Sequence, residues 1–219
     1  MSSTQARRAL VICGDVLSRK VSIHDRNSYP LIGDGVTLTL VERTETPSPL
    51  SLEILFDGRG FDKLIIPAGG ARLPCSPATA ELQTDEDGNR RTAEQLVMQG
   101  RDVFVFTQTV VPEFLEGFLQ RRALQPQDVD VFLFHQANAF ILDRLRAKLD
   151  VAKEKVPDRV IRQLGNSSSA TIPMAIAAGE PITQATRAVA CGFGVGLSWG
   201  AALFELQPLA FQQLIDFKE

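Results

Sequence analysis

The stretch that decides the fold is Val129-Asp130-Val131-Phe132-Leu133-Phe134-His135-Gln136-Ala137-Asn138. An apolar run leads into His135, and a helical pattern of apolar residues follows over residues 141–149. This order predicts a strand, a turn and a helix. Such turns in α/β folds face a crevice, so we expect His135 there and Asn138 capping or lining the helix start. A capped helix beside one ordinary buried histidine is the alternative reading.

A second polar string, Gly165-Asn166-Ser167-Ser168-Ser169, follows a helical stretch at residues 157–164. Another helix is predicted to open near Pro173. The Asn166 amide could therefore face the same crevice as His135. The serines lack the Gly-x-Ser-x-Gly pattern of a nucleophile elbow, so we expect them to support the loop through hydrogen bonds. An imidazole and an amide are thus predicted without an obvious nucleophile.

The remaining patterns predict a mixed α/β chain. Alternating or apolar runs indicate strands at residues 9–13, 36–42, 188–190 and, more weakly, 52–56. Residues 67–91, rich in Pro, Gly and acidic side chains, predict an exposed excursion and a candidate for disorder. Residues 92–123 are mainly helical in pattern, with a break and a second helix start at Pro112.

Composition excludes several classes of protein. The 219 residues are 44% hydrophobic, which is enough apolar material for a sizeable core, and the net charge is −3. No basic run interleaved with aromatic residues indicates nucleic-acid binding. No apolar stretch reaches membrane-spanning length and no secretory signal begins the sequence, so we expect no membrane partner and a cytoplasmic location. The three cysteines lack metal-ligand spacing, which predicts no metal site and no disulfide framework.

Several strings together resemble the carboxyl-terminal two-thirds of β-ketoacyl-acyl-carrier-protein synthase III, a FabH-like condensing enzyme of the thiolase superfamily. They occur in that family's order and at roughly its spacing, which makes an accidental match very improbable. The strings are residues 9–19, 25–26, 33–35, 98–104, 135–138, 165–173 and 192–200.

The resemblance implies an α/β, thiolase-like fold. In that fold two similar halves, each a sheet covered by helices, form five layers. Residues 92–219 would form the complete C-terminal half. Residues 1–91 would hold the remainder of the N-terminal half, its last strands, together with a loop excursion. Those strands would normally pair with earlier ones, so we expect uncovered apolar faces here.

The resemblance also implies an activity, 3-oxoacyl-[acyl-carrier-protein] synthase III, with CoA thioester as a substrate and no resident cofactor. A cysteine accepts an acyl group from acyl-CoA, and malonyl-acyl-carrier-protein then loses carbon dioxide and attacks it. His135 and Asn166 match the pair that stabilises the enolate oxygen. The turn formed by Gly194, Val195 and Gly196 matches the oxyanion turn, with Val195 where the family often has glycine.

Binding residues follow from the same resemblance. Arg26 matches an arginine that packs on the adenine of CoA. Four further residues match the wall of the pantetheine tunnel: Gly100, Phe104, Ala137 and Asn138.

Carrier docking is a second point at which the sequence departs from the family. Phe140 stands where the family commonly has an arginine that meets acidic acyl carrier protein. Arg144, Arg146 and Lys148 on the same predicted helix could offset that loss, although a solvated helix face would explain them equally.

The nucleophile is the main departure in chemistry. The family's cysteine precedes the strand matched here by residues 9–14, so we expect it to be absent. Cys13 and Cys191 lie in strand patterns typical of the core, and Cys75 lies in a predicted surface loop where a reactive thiolate is the less favoured alternative.

Three hypotheses therefore stay open. The chain is a truncated fragment, or a split subunit that forms a dimer or complex with a chain supplying the missing segment. It is a non-catalytic subunit that binds CoA or stabilises a cysteine-bearing partner. Or it is a cysteine hydrolase that uses Cys75, His135 and Asn166, which occur in the familiar Cys, His, Asn order.

Overall fold

The computed structural model describes residues 6–45 and 48–215. In this part of the chain, ten strands and four α-helices occur, joined by short 3-10 turns. In chain order they are β1 Arg8–Asp15, β2 Gly35–Glu42, β3 Ser51–Phe56, β4 Leu64–Ile65, β5 Gln83–Thr84, β6 Arg90–Arg91, β7 Val97–Met98, α1 Gly100–Gln120, β8 Val131–Phe134, α2 Ala139–Lys148, α3 Arg159–Gln163, α4 Thr171–Ala177, β9 Thr186–Gly194 and β10 Ser198–Leu206.

The main sheet has the strand order β3-β10-β9-β8. Strand β8 runs parallel to β9, while β10 pairs antiparallel with both β9 and β3. Successive side chains of β8 point to opposite faces: Phe132 and Phe134 pack with α1 and α2, whereas Leu133 packs with α3 and α4. A strand covered on both faces reads as a continuous apolar run, which is why residues 129–134 predicted it correctly.

Strands β1 and β2 form a separate antiparallel hairpin; the patterns at residues 9–13 and 36–42 predicted the two strands but not their pairing. Strand β1 contacts the 3-10 turn Ser168–Ala170 that follows Asn166. Much of the hairpin is uncovered, as expected. Its large aliphatic side chains with more than 40% of their surface exposed are Leu10, Val11, Ile12, Val36, Leu38, Leu40 and Val41.

Helix α1 corrects the expectation for residues 92–123. It begins only at Gly100, and it continues through Pro112 to Gln120 without a second start. Proline removes one backbone donor, but packing of the helix outweighs that loss. Val111 and Leu115, on either side of Pro112, are completely buried in the core shared with α2 and β8.

The excursion at residues 67–91 is exposed along most of its length, but it is ordered, so the expectation of disorder was wrong. Strands β5 and β6 close it as a hairpin. The Arg91 guanidinium then donates to Asp85 at 2.6 Å and to Asp25, which is 1% exposed, at 3.0 Å. An ion pair with a buried carboxylate is stronger than a solvated one and holds the hairpin against the loop that carries Arg26.

The division into halves at residues 91 and 92 stays a prediction. Strand β3, from the first predicted half, joins the sheet built mainly from the second. Residues 1–5, 46–47 and 216–219, which belong to the two predicted halves, lie outside the described residues. No helix in the described part of the chain combines the length and apolar character needed to cross a bilayer.

Candidate functional site

A cavity of about 1520 Å³ lies where several connections of the main sheet meet. Its walls come from the end of β8, the start of α1, the loop around Asn166 and the turn between β9 and β10. Eight of the ten site residues predicted from sequence line it: Gly100, Phe104, His135, Ala137, Asn138, Asn166, Gly194 and Val195. Arg26 and Gly196 do not.

His135 stands directly after β8, where its backbone N–H donates to the Cys191 carbonyl of the neighbouring strand at 2.8 Å. Its Nδ1 lies 2.7 Å from the Thr171 hydroxyl oxygen, and the ring meets Phe193 edge to face with centroids 5.5 Å apart. Because Nδ1 is engaged, Nε2 is the ring nitrogen left for a ligand in the cavity. Burial lowers the pKa of His135 to about 4, while the Ser168 carbonyl raises it slightly.

Acidification from pH 8 to pH 5 is therefore expected to leave His135 neutral. In the unfolded chain an imidazole binds its proton near pH ~6.5, so the contribution of the neutral ring to stability is complete above that pH and declines toward pH 4. NMR titration of the ring would check this. The exposed His24 is the second of two histidines, and a His24→Ala variant leaves one imidazole to follow. A midpoint near 6.5 would contradict the expected burial effect.

The side chain of Asn166 is oriented by the chain that follows it. Its Oδ1 accepts the backbone N–H of Ser168 at 2.9 Å, so the Nδ2 donors are left for the cavity. Ser168 adopts φ +53°, a left-handed conformation that costs a non-glycine residue about 1–3 kcal/mol. The loop that the serines were expected to support is thus held, in part, by a hydrogen bond to Asn166 itself.

The backbone of Asn166 is fixed from the opposite side by the loop before β2. Its N–H donates to the Leu31 carbonyl at 2.8 Å, and its carbonyl accepts the Gly33 N–H at 3.0 Å. The chains approach so closely that a Cβ on Gly33 would lie 1.8 Å from the Leu164 carbonyl oxygen. Gly165, at φ +80°, completes this contact.

The start of α2 confirms both roles expected of Asn138. Its side chain accepts the Ile141 N–H at 2.7 Å, as a helix cap does, and the residue also lines the cavity. Gln136, which lies between His135 and Asn138 in the sequence, is wholly buried, and its side-chain amide donates to the Phe134 and Pro157 carbonyls. It shapes the turn but does not line the cavity.

Phe104, in the first turns of α1, stacks on Phe140 with ring centroids 5.5 Å apart. Phe140 is 59% exposed, and the Arg144 guanidinium lies 5.9 Å from its ring centroid. Phe140 does not itself line the cavity, but it packs on the ring of Phe104, which does.

The predicted turn at residues 194–196 joins β9 to β10, which pair as an antiparallel hairpin. Gly194 and Val195 line the cavity, and the Val195 side chain is 60% exposed. The Ser198 hydroxyl donates to the Val195 carbonyl at 2.7 Å. Gly196, at φ +141°, shapes the turn without lining the cavity.

Arg26 lies outside the cavity, on the exposed loop before β2. Its guanidinium donates to the Asp87 carbonyl at 2.7 Å, and its backbone N–H donates to Asn89. The neighbouring residues Asn27 and Asp87 do line the cavity. The structure thus places Arg26 at the rim.

None of the three cysteines, all within the described residues, lines the cavity. Cys191 is wholly buried in β9, which confirms that prediction, and burial raises the pKa of its thiol. Cys13 is only partly buried, because the face of β1 that carries it is incompletely covered. Cys75 is exposed, and its hydrogen bond to Glu94 raises the pKa of the thiol. This arrangement argues against a cysteine hydrolase built from Cys75, His135 and Asn166.

Two contacts of His135 were not predicted from sequence. Thr171 and Phe193 both lie inside strings that were noticed, but neither was given a role. A threonine in the first turn of a short apolar helix is an unremarkable local signal, and only tertiary structure brings it to His135.

Comparisons with known proteins agree with this arrangement. A family model described as 3-oxoacyl-[acyl-carrier-protein (ACP)] synthase III matches residues 1–58, and a model of its C-terminal part matches residues 119–206. Two curated relatives are named beta-ketoacyl-[acyl-carrier-protein] synthase III. The one from Thermosynechococcus vestitus is 36% identical over 92% of this chain and 60% of its own length. The one from Acaryochloris marina is 37% identical over 92% of this chain and 59% of its own length.

A solved structure gives the same result for the fold. The 3-oxoacyl-(acyl-carrier protein) synthase from Burkholderia xenovorans superposes with a TM-score of 0.83 at 33% identity, over 95% of this chain and 58% of that one. The predicted α/β, thiolase-like fold is therefore confirmed. The chain spans about 60% of the length of the curated relatives it matches.

Proposed function

Because the chain belongs to the 3-oxoacyl-[acyl-carrier-protein] synthase III family, we propose that it carries the decarboxylating half of a condensing-enzyme active site. The observation that carries the proposal is that His135 and Asn166 line the same cavity, with His135 Nδ1 in contact with the Thr171 hydroxyl and Asn166 Oδ1 accepting the Ser168 N–H. Asn166 Nδ2 is then left to donate to a ligand, and so is His135 Nε2 in the tautomer that carries the ring proton there. The reaction class is acyl transfer with decarboxylative condensation.

The chemistry of decarboxylation explains why neutral donors suit this position. When a malonyl thioester loses carbon dioxide, the electron pair of the broken C–C bond moves into an enolate whose charge rests on the thioester oxygen. His135 Nε2–H and Asn166 Nδ2–H would donate to that oxygen. A carboxylate could not fill this role because it has no proton to donate. The low pKa of His135 suits it, since a neutral imidazole does not protonate the carbanion prematurely.

The proposed substrates are an acyl-CoA and malonyl-acyl-carrier-protein. The cavity is larger than a typical ligand pocket of about 300–1,000 Å³, so it has room for a pantetheine arm. Gly100, Phe104, Ala137 and Asn138 would line that arm. Arg26 at the rim would reach an adenine only after leaving the Asp87 carbonyl. The location we propose is the cytoplasm.

The nucleophile belongs to a separate part of the proposal. Since no cysteine of this sequence lines the cavity, the acyl-accepting thiol would come from polypeptide outside it. The uncovered β1–β2 hairpin is where such polypeptide would pair. A dimer, or a complex with a cysteine-bearing chain, is the corresponding assembly.

A second candidate function is a non-catalytic subunit that binds CoA or stabilises a cysteine-bearing synthase chain. The same absence of a cavity cysteine favours it. The two functions differ in one measurable respect, because a binding subunit would hold an acyl thioester without decarboxylating the malonyl one.

The test combines native mass spectrometry with an assay of carbon dioxide release from malonyl-acyl-carrier-protein. The chain is purified with and without the proteins encoded beside its gene, and each folded species is assayed. Decarboxylation by the chain or by its complex supports the proposed function. Binding of acyl-CoA with no release of carbon dioxide from any species would overturn it in favour of the binding subunit.

A further inference from the structure

The Thr171 hydroxyl is hydrogen-bonded to the His135 ring, at Nδ1. A neutral imidazole carries its proton on either Nδ1 or Nε2, and the partner of one nitrogen fixes the choice for the other. Thr171 is 1% exposed, and its Oγ1 lies 2.7 Å from His135 Nδ1. The buried hydroxyl is therefore beyond the reach of bulk water, and its single proton has few acceptors.

Two acceptors compete for that proton. One is His135 Nδ1, and the other is the Ser168 carbonyl oxygen, 2.9 Å from Thr171 Oγ1. The Ser168 carbonyl already accepts the backbone N–H of Thr171 itself. A carbonyl oxygen that already accepts one N–H gains less from a second donor than Nδ1 gains from its first, and the Thr171 hydroxyl is the side-chain partner of Nδ1.

We propose that Thr171 is a positioning residue, whose hydroxyl donates to His135 Nδ1 and thereby keeps the imidazole proton on Nε2, where it faces the cavity. The inference rests on the proposed function and deepens it, because Nε2–H is the donor which decarboxylation requires. Thr171 itself need not touch the substrate.

The same contacts join the two candidate catalytic residues. The Thr171 hydroxyl donates to His135 Nδ1, the Thr171 backbone N–H donates to the Ser168 carbonyl, and the Ser168 N–H donates to Asn166 Oδ1. Because of its left-handed φ, Ser168 can direct its N–H toward Asn166 and its carbonyl toward Thr171. Both free donors, Nε2–H and Nδ2–H, are consequently set by one short chain of hydrogen bonds.

Removing the hydroxyl should reverse the tautomer. Thr171 Oγ1 lies 2.7 Å from Nδ1 and 2.9 Å from the Ser168 carbonyl oxygen, so in Thr171→Val that carbonyl is the polar group left on this side of the ring. It is an acceptor, and a bond from the ring to Ser168 raises the pKa of His135, so it favours a ring N–H that faces it. The proton would move to Nδ1, and Nε2 would present a lone pair to the developing enolate oxygen. Thr171→Ser keeps the hydroxyl and should keep the native tautomer.

The experiment reads the tautomer directly by ¹H–¹⁵N NMR of ¹⁵N-labelled histidine in the His24→Ala background, where His135 is the single imidazole. We expect Nε2–H in the parent and in Thr171→Ser, and Nδ1–H in Thr171→Val. Thr109→Val is the matched control, because Thr109 is an exposed threonine on α1 whose hydroxyl bonds only to the Val105 carbonyl. It should leave the tautomer unchanged.

Activity gives a second readout. We expect Thr171→Val to lower kcat for malonyl-thioester decarboxylation by about 10- to 100-fold with KM changed less than about twofold, and Thr171→Ser to restore most of the rate. Nδ1–H in the parent protein would overturn the inference even if Thr171→Val does not fold. If no variant releases carbon dioxide while the tautomers behave as expected, the proposed function fails and the positioning role of Thr171 stands.

Discussion

Replacing His135 with alanine is expected to reduce malonyl-thioester decarboxylation by about 100- to 1000-fold, the effect of losing one preorganised donor to an oxyanion. The imidazole lines the cavity, is neutral at physiological pH and has Nε2 free, so the variant removes a donor and creates no charge. Binding of the thioester should change far less than the rate, because the donor acts on charge that develops during the reaction. The measurement is kcat and KM for carbon dioxide release by the species that the parent chain forms.

The matched control is His24→Ala, which changes the other histidine of the sequence. His24 is exposed and does not line the cavity, so the rate should stay within about twofold of the parent. Equal losses in the two variants would contradict the role assigned to His135. If the His135→Ala variant decarboxylates at the parent rate, Asn166 alone would be the hydrogen-bond donor to the enolate oxygen.

Replacing Gly33 with alanine is expected to give the largest loss of stability. The new Cβ would lie 1.8 Å from the Leu164 carbonyl oxygen and 2.9 Å from its carbonyl carbon, and backbone atoms cannot swing aside as a side chain does. The two loops must separate, which breaks the pair of hydrogen bonds between residues 31–33 and Asn166. Overpacking and broken bonds together should lower the free energy of unfolding by about 3 kcal/mol or more.

Thermal and urea unfolding of the two proteins would measure this loss. Gly58→Ala is the control, because a Cβ at Gly58 meets nothing within 4 Å and its φ lies outside the left-handed region. It should change the free energy of unfolding by less than about 1 kcal/mol. Gly33→Ala unfolding like Gly58→Ala would show that the loops can part without penalty.

Local sequence patterns predicted the elements in which every residue has the same kind of surroundings. Residues 129–134 lie in a strand buried on both faces, and the polar turn after them has one simple geometry, so the positions of His135 and Asn138 followed from the sequence. The strands at residues 9–13, 36–42 and 188–190 followed in the same way from their apolar runs, whereas the pairing of β1 with β2 and of β9 with β10 became visible only in the structure.

Predictions failed where distant contacts outweigh local preference. Pro112 lacks a backbone donor, yet the helix continues because both neighbouring turns are buried against other elements. Residues 67–91 have a composition typical of disorder, yet Arg91 reaches Asp25 across 66 positions. Composition carries no information about that partner.

The candidate site shows the same division. Matching strings placed His135 and Asn166, but the orientation of each side chain depends on neighbours that only the folded chain assembles. Thr171 contacts His135 across 36 positions, and Arg26 is drawn to the Asp87 carbonyl by an excursion whose path sequence did not reveal.

The bridge between Asn166 and the loop at residues 31–33 has a consequence for how this chain can be altered. Asn166 belongs to the later part of the sequence, but its backbone is hydrogen-bonded to the earlier part. An insertion or deletion in the short path from Asp25 to Gly33 would shift the amide, although that path contributes no proposed catalytic group. A chimera that exchanges the C-terminal part of the chain should therefore take its loop at residues 31–33 from the same parent as its Asn166.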